Sequence, residues 1–207
     1  MMMKYFEVDA NNENEAVNLT AIKLHINPNY LKASLITKNQ DGSSQFYVEP
    51  SHDLSFLGKK YLEEILTALN VEPKIEFRLN KENDELKYRI KSTNNSLLIG
   101  RDGRTLQAFL TMLRNFLQNF VISPIKVTLD IGDYNDTRAT QLQILATKIA
   151  KEVTQTKINA ALSPMNSYER RIIHEKLASW HDVTTESIGE GQNRRVVIKF
   201  KRHDKSK

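Results

Sequence analysis

Apolar residues along this 207-residue chain fall into three successive patterns. The first opens on the alternation Lys4-Tyr5-Phe6-Glu7-Val8, the period of a half-buried strand, and passes to a helical spacing at Ala16, Leu19 and Ile22 or Lys23. Two β-rich runs follow, Leu31 to Thr37 and Gln45 to Val48, on either side of Asn39-Gln40-Asp41-Gly42. Asp-Gly between apolar runs is a strong hairpin signal. Pro50-Ser51-His52-Asp53 breaks the pattern, so residues 1–58 read as a small β-α-β-β domain.

A second pattern begins at Lys59 with Leu62, Ile65, Leu66 and Leu69 on one face of a helix. Strands are expected over Lys74 to Leu79 and Leu86 to Lys91, joined by Asn80-Lys81-Glu82-Asn83-Asp84, whose amide and acidic side chains favour a turn. A short helix through Ser96, Leu97, Leu98 and Ile99 meets Gly100, and a long one after Gly103 presents Leu106, Phe109, Leu110, Leu113, Leu117 and Phe120 as a continuous stripe. Pro124 ends that region, and Lys126 to Ile131 alternates as a strand. The order over 59–133 is α-β-β-α-α-β.

The third pattern, over 134–207, starts with a helix buried through Leu142, Leu145, Ala146, Ile149 and Val153. A loop at Ser163-Pro164-Met165 precedes Asn166, an N-cap residue with Glu169 three positions on, and Ile173, Leu177 and Trp180 mark the buried side of the next helix. Val183 to Ile188 and Arg194 to Phe200 form a hairpin around Gly189-Glu190-Gly191-Gln192-Asn193, before a basic tail from Lys199 to Lys207 that is expected to fray. The whole reads as an α+β protein of three small domains, the last of α/β type.

Composition narrows the function. There is no cysteine, which removes disulfides, thiol nucleophiles and thiolate metal sites and fits a reducing cytoplasm. No apolar run is long enough to span a membrane, and the N-terminus lacks the organisation of a signal peptide. The net charge is +5, but it is divided. Up to Gly58 there are four Lys/Arg against seven Asp/Glu, and the remainder holds 26 against 18. A basic surface on the later domains suits a polyanion, because each phosphate neutralised by Lys or Arg releases condensed counterions.

Two constellations could use that charge. Gly100-Arg101-Asp102-Gly103, between two helices, leaves backbone N–H groups unpaired at a helix N-terminus, where the macrodipole favours an anion. Glycine allows positive φ there and lets a nucleic-acid backbone approach closely. Arg101 and Arg104 add charged donors and Asp102 offsets one of them. An isolated Gly-x-x-Gly is more often a plain helix connection. In the α-β-β-α-α-β order, with Ile99 before it, the segment from Lys59 to Ile131 resembles a K-homology (KH) domain of the prokaryotic type (type II). That resemblance implies a clamp on the backbone of a single strand by Gly100, Arg101, Asp102 and Gly103, with Ile99 lining or supporting the base groove. The Arg-Asp centre departs from the doubly basic loop of many relatives.

The other constellation is Arg170 and His174, four residues apart on one helix face. Such a pair alone is usually a solvated surface. Its surroundings, Leu162-Ser-Pro-Met-Asn-Ser-Tyr-Glu-Arg-Arg-Ile-Ile-His-Glu-Lys-Leu177 followed by Thr185 to Gly191 and Asn193 to Ile198, closely resemble the domain named for its Arg-xxx-His motif, the R-3-H domain, which binds single-stranded nucleic acid. The resemblance assigns Arg170 and His174 as the named pair, with Arg171, Arg194 and Arg195 as phosphate contacts. Protonation of His174 near neutrality is expected to strengthen phosphate binding as pH falls.

A KH domain followed by an R-3-H domain, behind a β-α-β-β unit, resembles the bacterial Jag family (also called KhpB or EloR). This implies a cytoplasmic, non-enzymatic regulator of cell elongation and division that binds single-stranded RNA, with single-stranded DNA as the alternative ligand. It also implies a small partner consisting of a KH domain alone. The family's N-terminal domain ends in a Lys-Lys-Gly-Phe-Leu-Gly-type segment, of which only Phe56-Leu57-Gly58 is echoed here. A protein-interaction scaffold and a phosphoesterase or nuclease using His174 with a nearby carboxylate are the competing readings. The phosphoesterase lacks a His-Glu-x-x-His helix, clustered carboxylates at ligand spacing and the lysine of a P-loop, and no cofactor or metal is expected.

Overall fold

The computed structural model describes residues 2–38, 44–80, 82 and 84–202. The expected hairpin turn at 39–42, two residues of the turn at 80–84, and the last five residues of the basic tail lie outside the described residues. The chain divides into two compact units, Met1–Gly132 and Asp133–Lys207.

In the first unit, β1 (Phe6–Ala10), α1 (Glu13–Leu24), β2 (Leu31–Lys38) and β3 (Ser44–Pro50) follow the expected β-α-β-β order. They form an antiparallel sheet in the order β1-β3-β2. Asn12 caps α1 by accepting from the Glu15 N–H at 2.9 Å. The face of α1 differs from expectation. Ala16, Thr20 and Ala21 are buried, whereas Leu19 and Ile22 are exposed. Small side chains form the buried face, and Thr20 satisfies its buried hydroxyl by donating to the Ala16 carbonyl at 2.9 Å.

The α-β-β-α-α-β order is also present: α2 (Leu54–Ala68), β4 (Lys74–Asn80), β5 (Glu85–Lys91), α3 (Asn95–Ile99), α4 (Arg104–Gln118) and β6 (Lys126–Ile131). Strand β5 is central, antiparallel to β4 and parallel to β6. Helix α2 starts before Lys59, because the Asp53 carboxylate caps the N–H groups of Ser55 and Phe56 at 2.9 and 3.0 Å. The expected boundary after Gly58 therefore falls inside a helix, and Phe56-Leu57-Gly58 belongs to it. Gly58 is where α2 meets the sheet: a Cβ there would stand 2.2 Å from the Tyr88 hydroxyl. That hydroxyl donates to the carbonyls of Leu54 and Ser55, at 3.3 and 3.1 Å.

Leu69, expected on the buried face, is exposed just after the end of α2. Phe116, absent from the expected stripe on α4, is buried. Tyr61 stacks on it with centroids 4.1 Å apart, and Tyr30 of the N-terminal segment meets its edge at 4.8 Å. Lys4 donates its backbone N–H to the Phe120 carbonyl at 2.8 Å. The two N-terminal segments thus share contacts within one unit.

The second unit holds α5 (Tyr134–Thr156), β7 (Ala160–Ala161), α6 (Ser167–Leu177), β8 (Val183–Ile188) and β9 (Arg195–Phe200), with sheet order β7-β9-β8. The two-residue β7 is too short to leave a periodic signal in the sequence. The core of the unit joins Leu142, Ala146, Ala150 and Val153 of α5 to Ile173 and Leu177 of α6 and to Val196 and Ile198 of β9, with Trp180 half-buried against it. Leu145, expected in that core, is exposed. The capping box at α6 is complete: Asn166 accepts from the Glu169 N–H at 3.0 Å, and Glu169 accepts from the Asn166 N–H at 3.1 Å.

Candidate nucleic-acid interface

The Gly-x-x-Gly connection is built from three successive backbone requirements. Gly100 ends α3 at φ 70°, ψ −179°, and a Cβ there would lie 2.1 Å from Thr105 Oγ1 and 3.1 Å from its backbone N. Only glycine fits that approach. Residues Arg101–Gly103 make a single 3-10 turn, in which Asp102 (φ 53°, ψ 31°) and Gly103 (φ 72°, ψ 15°) are both left-handed. Asp and Asn are the non-glycine residues that adopt this conformation most readily, so Asp102 has a conformational role as well as a charge. Arg101, Asp102 and Arg104 are exposed, Gly103 is buried and Ile99 half-buried. Neither Arg101 nor Arg104 is paired with a carboxylate among the described residues. Leu97, 65% exposed, stands two residues before Ile99. Sequence reasoning passed over it, because a short helix has too few turns to separate an inner from an outer face.

In the second unit, Glu169 does two jobs at the start of α6. It completes the capping box, and its other carboxylate oxygen accepts from Arg138 Nε of α5 at 2.8 Å, a pair that is almost wholly buried on the Glu169 side. This fixes the helix that carries Arg170 and His174. His174 is held between two hydroxyls of β8: Nδ1 lies 2.6 Å from Thr185 Oγ1 and Nε2 2.8 Å from Ser187 Oγ. A hydroxyl both donates and accepts, so either neutral tautomer is satisfied. Burial, and then the nearby Arg170 guanidinium, lower its pKa below the ordinary histidine value. This direction runs against the expected gain of phosphate affinity from protonation near neutrality, because burial and Arg170 both favour the neutral ring. Thr185 and Ser187 could have been found from their i,i+2 spacing, which puts both on one face of a strand.

Arg170 Nη1 donates to the Met165 carbonyl at 3.1 Å, and the Met165 N–H donates to the Arg194 carbonyl at 3.1 Å. Arg170 thereby stands close to His174, and the backbone of Arg194, whose side chain is exposed, is tied to the same loop. Arg171 and Arg195 lie elsewhere. Arg171 is highly exposed and is paired with Glu175 at 2.6 Å. Arg195 pairs in register with Ile188, whereas Ser187 pairs with Val196 and Thr185 with Ile198. Cross-strand partners share a face and successive residues alternate, so Arg195 lies on the face of the sheet opposite to His174. Its Nε donates to the Asn193 carbonyl at 3.2 Å, within the turn.

No group of three or more His, Cys, Asp or Glu among the described residues could hold a metal ion, and no helix there is long and apolar enough to cross a membrane.

Residues 140–200 match the R-3-H domain family. Over nearly its whole length the chain is similar to the RNA-binding protein KhpB of Clostridium symbiosum, 30% identical over 98% of this chain and 95% of the relative. The RNA-binding protein KhpB of Bacillus subtilis is 36% identical over 70% of this chain and 69% of its own. That of Lactiplantibacillus plantarum is 39% identical over 54% and 34%, respectively. With the KH-like order of elements in the first unit, an R-3-H match in the second and likeness over nearly all of both chains, this protein belongs to the KhpB family.

Proposed function

We propose that this chain is a cytoplasmic single-stranded RNA-binding protein that grips the phosphodiester backbone with the Gly100–Gly103 loop and with the Arg170, His174 and Arg194 surface. The relatives' name, RNA-binding protein KhpB, supports RNA as the ligand. The observation that supports the mechanism is the tethering of the Arg170 guanidinium to the Met165 carbonyl beside a histidine pinned to β8, with the Arg194 backbone bonded to the same Met165. A guanidinium held in place, as that of Arg170 is, loses little entropy on meeting a phosphate, and its planar fork matches the phosphate oxygens. His174 acts by ordering Thr185 and Ser187, of which the hydroxyl that accepts from the ring N–H keeps its own proton free to donate, rather than by bringing a charge. It is a binding protein and not an enzyme. As in the family it resembles, the binding serves control of cell elongation and division.

The test is a salt titration of labelled oligouridine of about 20 nucleotides with the wild-type chain, Arg101→Asp and Arg170→Ala, in which log affinity falls with log salt by about 0.7 per phosphate contact. Each variant is expected to weaken binding and to flatten the slope by about one contact or more. A weak, flat response common to all three chains would sink the reading and favour a protein scaffold.

A further inference from the structure

The second unit has a groove on its outer surface, between α5 and α6, of about 420 Å³. Its α5 wall is built on Thr140, Ile144, Thr147, Lys148 and Lys151, and Lys176 of α6 closes the other side. Spacings of four, seven, eight and eleven from Thr140 put these α5 residues on one face. That face is turned away from the one formed by Leu142, Ala146, Ala150 and Val153, which is spent on the core. Ile144 is accordingly 65% exposed. None of the three lysines is paired with a carboxylate among the described residues, and Glu175, the acidic neighbour of Lys176, is engaged by Arg171. Both threonine hydroxyls donate back along the helix, Thr140 to Asp136 at 3.0 Å and Thr147 to Gln143 at 2.9 Å. The groove therefore offers three ammonium groups around one apolar contact.

From this charge complementarity we infer that the α5–α6 groove is a second backbone site for single-stranded RNA, separate from the Arg170/His174 surface. Lys176 is two positions from His174, about 200° around α6, so the two sites lie on opposite sides of that helix. Three lysines with no acidic partner suit consecutive phosphates, and Ile144 with the threonine methyls suits a sugar or base edge between them. A membrane-docking helix would need a wider apolar stripe of Trp, Phe or Leu, which this face lacks. Lysine contributes a point charge without directional reading, so the site is insensitive to base sequence.

The inference rests on the RNA-binding reading above, and its test keeps the two apart. The full chain is titrated with oligouridine of about 20 nucleotides as wild type, as Lys148→Gln/Lys151→Gln/Lys176→Gln, as Arg170→Ala, and as a charge-matched control, Lys23→Gln/Lys38→Gln/Lys126→Gln. The groove variant is expected to lose roughly tenfold in affinity at moderate salt and to reduce the log–log salt slope by about 2, while the control stays near wild type. Ultraviolet crosslinking of the wild type should label the peptide containing Ile144. If the groove variant matches wild type in affinity and slope while Arg170→Ala is weakened, the groove site is overturned and the RNA reading stands. If the wild type binds no RNA, both fall. If the groove variant binds RNA normally but loses sedimentation with phosphatidylserine vesicles, the groove serves an anionic surface and the inference is wrong.

Discussion

At the scale of single residues, the two positions whose chemistry changed most are His174 and Asp102. The folded His174 has a lowered pKa, through burial and then Arg170, while in the unfolded chain imidazole takes its proton at about 6.5. The unfolded state thus binds more protons as pH falls through that range, so the stability is complete above it and declines below it. Urea unfolding of the second unit is expected to shift to lower midpoint between pH values of about 7.5 and 5.5, with a smaller shift in His174→Gln. RNA affinity should stay level between about pH 8 and pH 7, since burial and the Arg170 guanidinium favour the neutral ring over that interval. A rise over that interval that His174→Gln abolishes would contradict this account. Asp102 sits left-handed in the exposed loop. Asn adopts that conformation at least as readily and removes the negative charge, so Asp102→Asn should bind RNA more tightly, by roughly two- to fivefold at low salt. Unchanged or weaker binding would show that the carboxylate is not opposing the strand.

Apart from the early start of α2 and the short β7, helices and strands formed where periodicity placed them, but the face each helix buries did not always follow. On α1 the spacing of Leu19 and Ile22 after Ala16 is helical, yet the sheet is met by Ala16, Thr20 and Ala21. On α5, Leu145 was expected inside and lies outside, and Ile144 points into the lysine groove. Periodicity shows that a helix has an apolar stripe, whereas the shape of the opposing layer decides which stripe fits. Gly58 illustrates the same point at a helix–sheet contact. Helix propensity favours Ala there by about 1 kcal/mol, but the Tyr88 ring blocks a Cβ and its buried hydroxyl is held by two carbonyls, so overpacking of about 1–3 kcal/mol should win. Gly58→Ala is expected to lower the urea midpoint of the first unit by circular dichroism, and Tyr88→Phe in the same chain to recover part of the loss. Because Trp180, the one tryptophan, lies in the second unit, its fluorescence midpoint should stay in place. A parallel shift of both signals would show that the two units unfold as one.

At the scale of the whole molecule, charge follows the division into units. Met1–Gly132 has 16 Lys/Arg and 16 Asp/Glu, and Asp133–Lys207 has 14 against 9, so the entire net charge of +5 belongs to the second unit. The proposed salt dependence is accordingly expected to come mainly from that unit, with the Gly100–Gly103 loop adding local contacts from Arg101 and Arg104. The sequence by itself determined the order of elements apart from the two-residue β7, the capping box at α6, the Gly-x-x-Gly connection and the Arg170/His174 pair, because each rests on spacing along one element or on the chemistry of a single position. Tertiary structure alone decided that α2 begins at Leu54 and runs through the expected boundary at Gly58, and that Phe116 joins the two N-terminal segments. It also decided that His174 is held between two hydroxyls with its pKa lowered, and that Arg195 lies on the sheet face opposite to His174. The reason is physical. Burial, strand register and pKa are properties of groups distant in the chain that are brought within a few ångströms, and local periodicity holds no record of which ones meet.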